Sequence, residues 1–223
     1  MTATIDWRAP WLAPLRPLAD ADPPRLPVRF VDANQLPAGE AYEAFIARTG
    51  CVPTRDNLHD HFNHLVWRRH PALKQRLNRL QAEAIAARGV GPTRGPLRDA
   101  LTLFDEFGAL WPDAPPPLAR ALAARDWHAL FVSHRARWAG HRLELIGHAL
   151  LEQLAIAPRK ALTAHVLLAA EPLALAAAQW ASKPFLPLPV LGIPGWWPAN
   201  QDPAFYEDSR VFRPARLKDR APP

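Results

Sequence analysis

The chain has 223 residues, 26 of them proline, with 49% hydrophobic residues, nine tryptophans and a formal net charge of +6. Proline fixes φ and has no N–H, so this excess excludes long coiled coils, large regular sheets and uniform solenoids. The apolar half excludes wholesale disorder, and the length predicts one domain over 1–223. Read in chain order, residues 1–37 carry seven prolines and form an extended arm, with Trp7, Trp11 and Leu12 free to pack on a body. One short strand fits Val28–Val31. The body spans 38–183. Asp56 or Asn57 caps a helix whose Leu58, Phe62, Leu65 and Val66 repeat at helical spacing and which ends at His70-Pro71. Further helices are predicted over Ala72–Arg88, from Gly95-Pro96 onward, and over Leu118–Ala124, Trp127–Arg137, Arg142–Ala155, Ala161–Glu171 and Leu173–Ser182. Residues 184–223 form a strap rich in proline and tryptophan. The expected fold class is therefore mainly α, a single helical domain with Pro-rich extended N- and C-terminal arms packed on it.

Of the 27 cationic side chains only four are lysine, and no basic run, Arg68-Arg69 included, exceeds two residues. An Arg-, Ala- and Pro-heavy chain is what a GC-rich genome writes, so the basic balance alone is weak support for nucleic-acid binding, whose grooves cluster their charge. Cys51 is alone, which excludes an internal disulfide and a cysteine zinc knuckle and suits a reducing, cytoplasmic setting. The first residues lack a signal peptide's basic start and apolar core. The most apolar run, Ala161–Ala181, contains His165, Glu171 and Pro172, so no membrane span is expected.

Three predicted helices carry ionisable residues along one shoulder of an apolar stripe. On the first, His59 and Asn63 stand four residues apart beside Leu58, Phe62 and Leu65, with Trp67 farther round; His61, His64 and His70 raise the local histidine count. On the second, Arg98, Thr102 and Asp105 share a row, with Asp99 and Glu106 beside it. Carboxylates one turn from an arginine suit general acid/base work with a substrate clamp, hard-metal ligation, or a structural ion-pair network. On the third, Glu144, His148 and Glu152 stand at i, i+4 and i+8, and Gly147 permits a close approach by another helix. A His and a Glu one turn apart can ligate a metal together. His165 can add a third imidazole. Burying such groups unpaired costs several kcal/mol, so they are expected to meet one another. The aromatic segment Leu186–Asn200 either covers core or roofs that cluster with Trp196, Trp197 or Asn200. P-loop, dinucleotide-binding, nucleophile-elbow and zinc-finger signatures are absent.

Several stretches together resemble a bacterial family known only as domain of unknown function 3025. They are Thr49 to Asn63, Arg94 to Glu106, Gly147 to Glu152, Leu186 to Asn200, Phe205-Tyr206-Glu207-Asp208 and Val211-Phe212-Arg213-Pro214. The resemblance spans about Val28 to Pro214 and implies a group without implying an activity. From the residues, the expectation is a hydrolase-type enzyme acting on a small molecule, with a divalent metal as cofactor. His59, His148 and Glu152 would be ligands, Asp105 or Glu106 general base, Arg98 an anion clamp and Asn63 an orienter, with Trp67, Trp197 and Asn200 against substrate. The alternatives are a module binding nucleic acid or another polyanion, and an adaptor whose polar cluster is only a buried network.

Overall fold

The computed structural model describes residues 5–19, 26–89, 94–140 and 142–215. Parts of both predicted arms, 1–4, 20–25 and 216–223, lie outside them. After a short turn and helix α1 (Arg16–Ala19), strand β1 (Arg29–Asp32) pairs in parallel with β2 (Cys51–Thr54), which follows helix α2 (Tyr42–Thr49). Asn57 is the residue that caps α3 (Leu58–Arg69): its side chain accepts from the Asp60 N–H at 2.8 Å. The helix stops at His70, and α4 (Pro71–Arg88) begins at the proline that ended it. Helix α5 (Gly95–Phe107) runs directly into β3 (Gly108–Leu110), and α6 (Pro116–Ala124) follows.

The remainder departs from the mainly helical expectation: the protein combines dominant helix with two small sheets. Instead of a helix from Arg142, residues Glu144–Leu145 form β4, and α7 begins only at His148 and ends at Ile156. Both the Ile146 and Gly147 N–H groups donate to the Gly108 carbonyl at 2.9 Å, which ties this segment to β3 before the helix can start. Ala161–Glu171 is not a helix either. Thr163–Leu167 is strand β5, hydrogen-bonded to β3 on one side and β6 (Leu186–Pro189) on the other, in the sheet order β4-β3-β5-β6. Helical propensity in this Ala- and Leu-rich run is outweighed by pairing on both edges. Of Leu173–Ser182 only Ala177–Ala181 is α-helical (α8). Trp127–Arg137 is likewise broken, into a π-type turn at Ala129–Ser133 and a 3₁₀ turn at Arg135–Trp138. There the stacked rings of Trp111, Trp138 and Phe131 are packed, and the Trp138 indole donates to the Leu130 carbonyl at 2.8 Å.

The prolines of β6 explain its place at the sheet edge. Val190 donates to Leu162 at 3.0 Å, so the N–H groups of even-numbered residues face β5. The odd positions hold Pro187 and Pro189, whose missing donors leave no ladder bond unmade. The core takes side chains from both arms: Leu12 and Leu15 from one, and Leu188, Val190, Leu191 and Phe212 from the other, are buried with α3, α5, α6 and α7. Trp11 and Trp196 meet at 6.1 Å, so the two arms touch. Helix α7 packs against both α3 and α5, α4 lies against α5, and α2 against α4. That arrangement converges their polar shoulders.

Candidate functional site

His148 is the first residue of α7, and a glycine places it. Gly147 sits against the α5–β3 junction so closely that a Cβ there would lie 2.5 Å from both the Glu106 carbonyl oxygen and the Phe107 Cα. His148, nearly fully buried, donates its Nδ1–H to the Asp105 carbonyl at 2.8 Å. A carbonyl can only accept, so this bond fixes the proton on Nδ1 and leaves Nε2 with its lone pair. Across from it, His59 of α3 places Nδ1 3.0 Å from the Glu152 carboxylate, one turn along α7 from His148. Its Nε2 in turn faces the His148 Nε2 at 3.1 Å, with ring centroids 4.5 Å apart. Glu106, at the end of α5, brings a carboxylate oxygen to 3.6 Å from His148 Nε2. One atom each from His59, Glu106 and His148 thus falls within 4.8 Å of the others.

The electrostatics favour the neutral, ligating form of His148 and oppose ionisation of Glu106. Burial lowers the pKa of His148 to about 4, so its imidazole is neutral at physiological pH. Burial, and then the neighbouring Asp105, raises the Glu106 carboxyl above its ordinary range. Burial also opposes ionisation of Asp105, yet the Lys74 ammonium, together with His148 and His59, holds that carboxyl below its ordinary value. Lys74 itself is only 4% exposed and spends its charge on Asp105, whose main chain orients His148.

The histidines open onto a cavity of about 360 Å³ lined also by Ala33, Leu36 and Pro53. Tyr42, Asn63, Asp60 and Asp105 add its polar groups. Asn63 donates to the Tyr42 hydroxyl at 3.3 Å, and burial, then the Asp105 charge, pushes that phenol's pKa well up, so it stays protonated. Asp60 accepts from the Arg55 main chain at 2.6 Å and from its guanidinium at 3.0 Å, which locks the turn entering α3. A smaller cavity of about 110 Å³ lies behind, between Lys74, Gln81, Tyr42, Asp105 and Glu106.

Of the residues singled out from sequence, His59, Asn63, Asp105, Glu106, His148 and Glu152 are brought together. Glu152 binds the Nδ1 edge of His59, the edge opposite the paired Nε2 atoms, whereas Glu106 stands beside those atoms. Trp67 is 2% exposed, packed with Val28, Ile46 and Val52, and borders the rear cavity. Arg98 lines a different cavity with Arg88 and Arg94. Trp197 packs on the core, and Asn200 is fully buried in the strap, donating to the Leu191 and Ile193 carbonyls at 2.8 and 2.7 Å. The cavity lining thus includes Ala33 and Leu36 from the segment after β1 and Pro53 of β2, and no residue of the C-terminal strap, one of whose two expected roles was to roof the cluster. Glu144, on β4, pairs with Arg69 and His70. His165 turns its ring edge toward Phe185 on β5's side of the sheet, and His64 stacks on Phe30 at 4.0 Å. Sequence reasoning missed Tyr42, Asp60 and Lys74. Lys74 had a signal: it lies on the stripe of Leu77 and Gln81, and a cation on a helix's inward stripe is rarely unpaired.

A family model described as "Protein of unknown function (DUF3025)" matches residues 28–179 and 168–216. No curated protein and no solved structure matches the chain.

Proposed function

Since the chain belongs to the DUF3025 family, whose description carries no activity, we propose a function from geometry: a hydrolase that holds a divalent transition metal between His59 Nε2, His148 Nε2 and the Glu106 carboxylate. One observation carries this reading. Both imidazoles give their Nδ1–H to a fixed acceptor, so two Nε2 lone pairs point at each other at 3.1 Å beside a carboxylate. Ligating histidines are held this way, with the second nitrogen donating to a carboxylate or a main-chain carbonyl. Two histidines and a glutamate with an open position are the donor set of zinc hydrolases, and a metal in such a site makes hydroxide available from water near neutral pH.

Around that position the chain's own groups have separable tasks. Glu152 and the Asp105 carbonyl aim the imidazoles, and Lys74 fixes Asp105 so that its carbonyl stays in place. The protonated Tyr42 hydroxyl, steadied by Asn63, is the hydrogen-bond donor for negative charge developing on a substrate oxygen. The cavity suits a small-molecule substrate, and the lone buried Cys51 supports a cytoplasmic setting. Among the described residues no helix is long and apolar enough to cross a membrane.

Protein purified without chelators and analysed for metal content should hold about one equivalent of a divalent metal. His59→Ala and His148→Ala should abolish it, and Glu152→Gln should weaken affinity on the order of tenfold or more. Absence of stoichiometric metal, with no binding heat on titration of zinc, manganese or iron(II), overturns the reading. A second reading draws on the same 3.1 Å separation, which is also a hydrogen-bond length if one imidazole carries both protons. It predicts a metal-free protein in which a nitrogen NMR titration finds one doubly protonated ring.

A further inference from the structure

Arg98 stands apart from the histidine cluster, and its surroundings form a site of their own. A cavity of about 500 Å³ opens where the end of α4 meets the start of α5. Arg88, Arg94 and Arg98 line it over a floor of Ala84, Leu97 and Ala181, and none of its described lining residues is acidic. Asp99, the nearest carboxylate in sequence, is engaged by Lys183. The Arg98 Nε is buried with no hydrogen-bond partner, an orphan donor inside a charged group. The main chain at Gly95 runs beside the Arg88 guanidinium: a Cβ there would be in ordinary van der Waals contact, 3.5 Å from an Arg88 terminal nitrogen.

Arg88, Arg94 and Arg98 line one concavity, none of whose described lining residues is acidic, and a bound anion would relieve the repulsion among their charges. Guanidinium forks match the paired oxygens of a phosphate. Arg94 caps α5 without a side-chain bond, so the partial positive end of a 13-residue helix opens beside the same arginines. The apolar floor accepts the uncharged remainder of a ligand. The concavity favours a small molecule over a polymer, which needs a groove that continues. We infer that Arg88, Arg94 and Arg98 form a binding pocket for the phosphoryl group of a small phosphorylated molecule. Along α5 the pocket is set apart from the histidine cluster, since Arg98 and Glu106 are eight residues apart, about 12 Å at 1.5 Å per residue, although the Arg94 charge still reaches Glu106.

The probes are inorganic phosphate and pyrophosphate, titrated into the full-length protein at low ionic strength by calorimetry and phosphorus NMR. Saturable one-site binding is expected, with Arg98→Gln weakening it about tenfold or more, as loss of a charge-assisted hydrogen bond predicts. Arg88→Gln, an exposed position, should weaken it several-fold while leaving the melting temperature unchanged; it keeps the test decisive if Arg98→Gln fails to fold. Non-saturable binding, or equal affinity in Arg88→Gln and wild type, overturns the proposal. So does an oligonucleotide that binds through these arginines while pyrophosphate does not, since that identifies a polymer ligand. Metal content should be the same in both variants, so this result and the metal result are independent.

Discussion

Glu106 and Glu152 flank the same pair of histidines, and their directions separate their tasks. Glu152 meets the His59 Nδ1 and accepts its hydrogen bond, whereas Glu106 stands 3.6 Å from the His148 Nε2, the ring nitrogen that faces His59. The helical wheel brought both into view, but it carries no information on which ring edge a carboxylate will meet. That depends on the crossing of α3 and α7. Glu144 shows the same limit: it was read in one row with His148 and Glu152, yet it stands on a strand, 2.7 Å from Arg69 and 3.0 Å from His70. Burial opposes its ionisation, but these two partners prevail and lower its pKa from 4.5 to about 2. A carboxyl whose folded pKa lies below its unfolded one stabilises above the unfolded value, and the contribution is lost as pH falls from 4.5 toward 2. Glu144→Gln should therefore lose on the order of 2 kcal/mol at pH 7, allowing for solvent screening at half-exposed Arg69. In urea titrations the gap between variant and wild type should narrow steadily below pH 4.5. A gap independent of pH would place the stabilisation elsewhere.

At the scale of elements, the site depends on where α7 starts. Residues 142–147 have the composition of a helix, and the sequence reading ran the helix through them. Two N–H bonds to the Gly108 carbonyl hold them extended instead, and Gly147 supplies the contact that no side chain permits. Gly147→Ala should cost about 1–3 kcal/mol through overpacking. More specifically, it should push His148 away from Asp105 and Glu106, so bound metal should fall below stoichiometry in protein that still folds. Full metal occupancy in this variant would show that the junction tolerates the methyl without moving the imidazole. The glycine was visible in the sequence, but its neighbour was not: the close partner is a main chain some forty residues away. The same holds for β5. Its residues favour helix locally, and only the exposed edges of β3 and β6 make the extended form better.

Across the whole molecule the prolines sort into two uses. Some end or begin helices: Pro71 and Pro96 were legible because the clash and the missing donor are local, whereas Pro116 starts its helix two residues before the Leu118 expected from sequence. Others belong to the strap, where β6 closes the sheet and Asn200 ties the chain back onto itself. Asn200 donates to two carbonyls and accepts from Arg135 at 3.3 Å, all within or beside the strap. Asn200→Ala should cost about 2–4 kcal/mol, because buried acceptors lose their donors. At 2–4 °C per kcal/mol for a chain of this size, the melting temperature should fall by roughly 4–16 °C with metal content unchanged. Loss of metal in this variant would instead join the strap to the site. By itself the sequence determined the caps, the stops, the inward stripes and six members of the polar cluster, because each follows from 3.6-residue periodicity or a neighbour's sterics. Tertiary structure alone decided the sheet, the acceptors that meet the Nδ1 atoms of the two histidines, the buried Lys74–Asp105 pair and the separation of Arg98 from the cluster. Those depend on which distant main-chain groups find each other, and no local preference encodes a partner forty or ninety residues away.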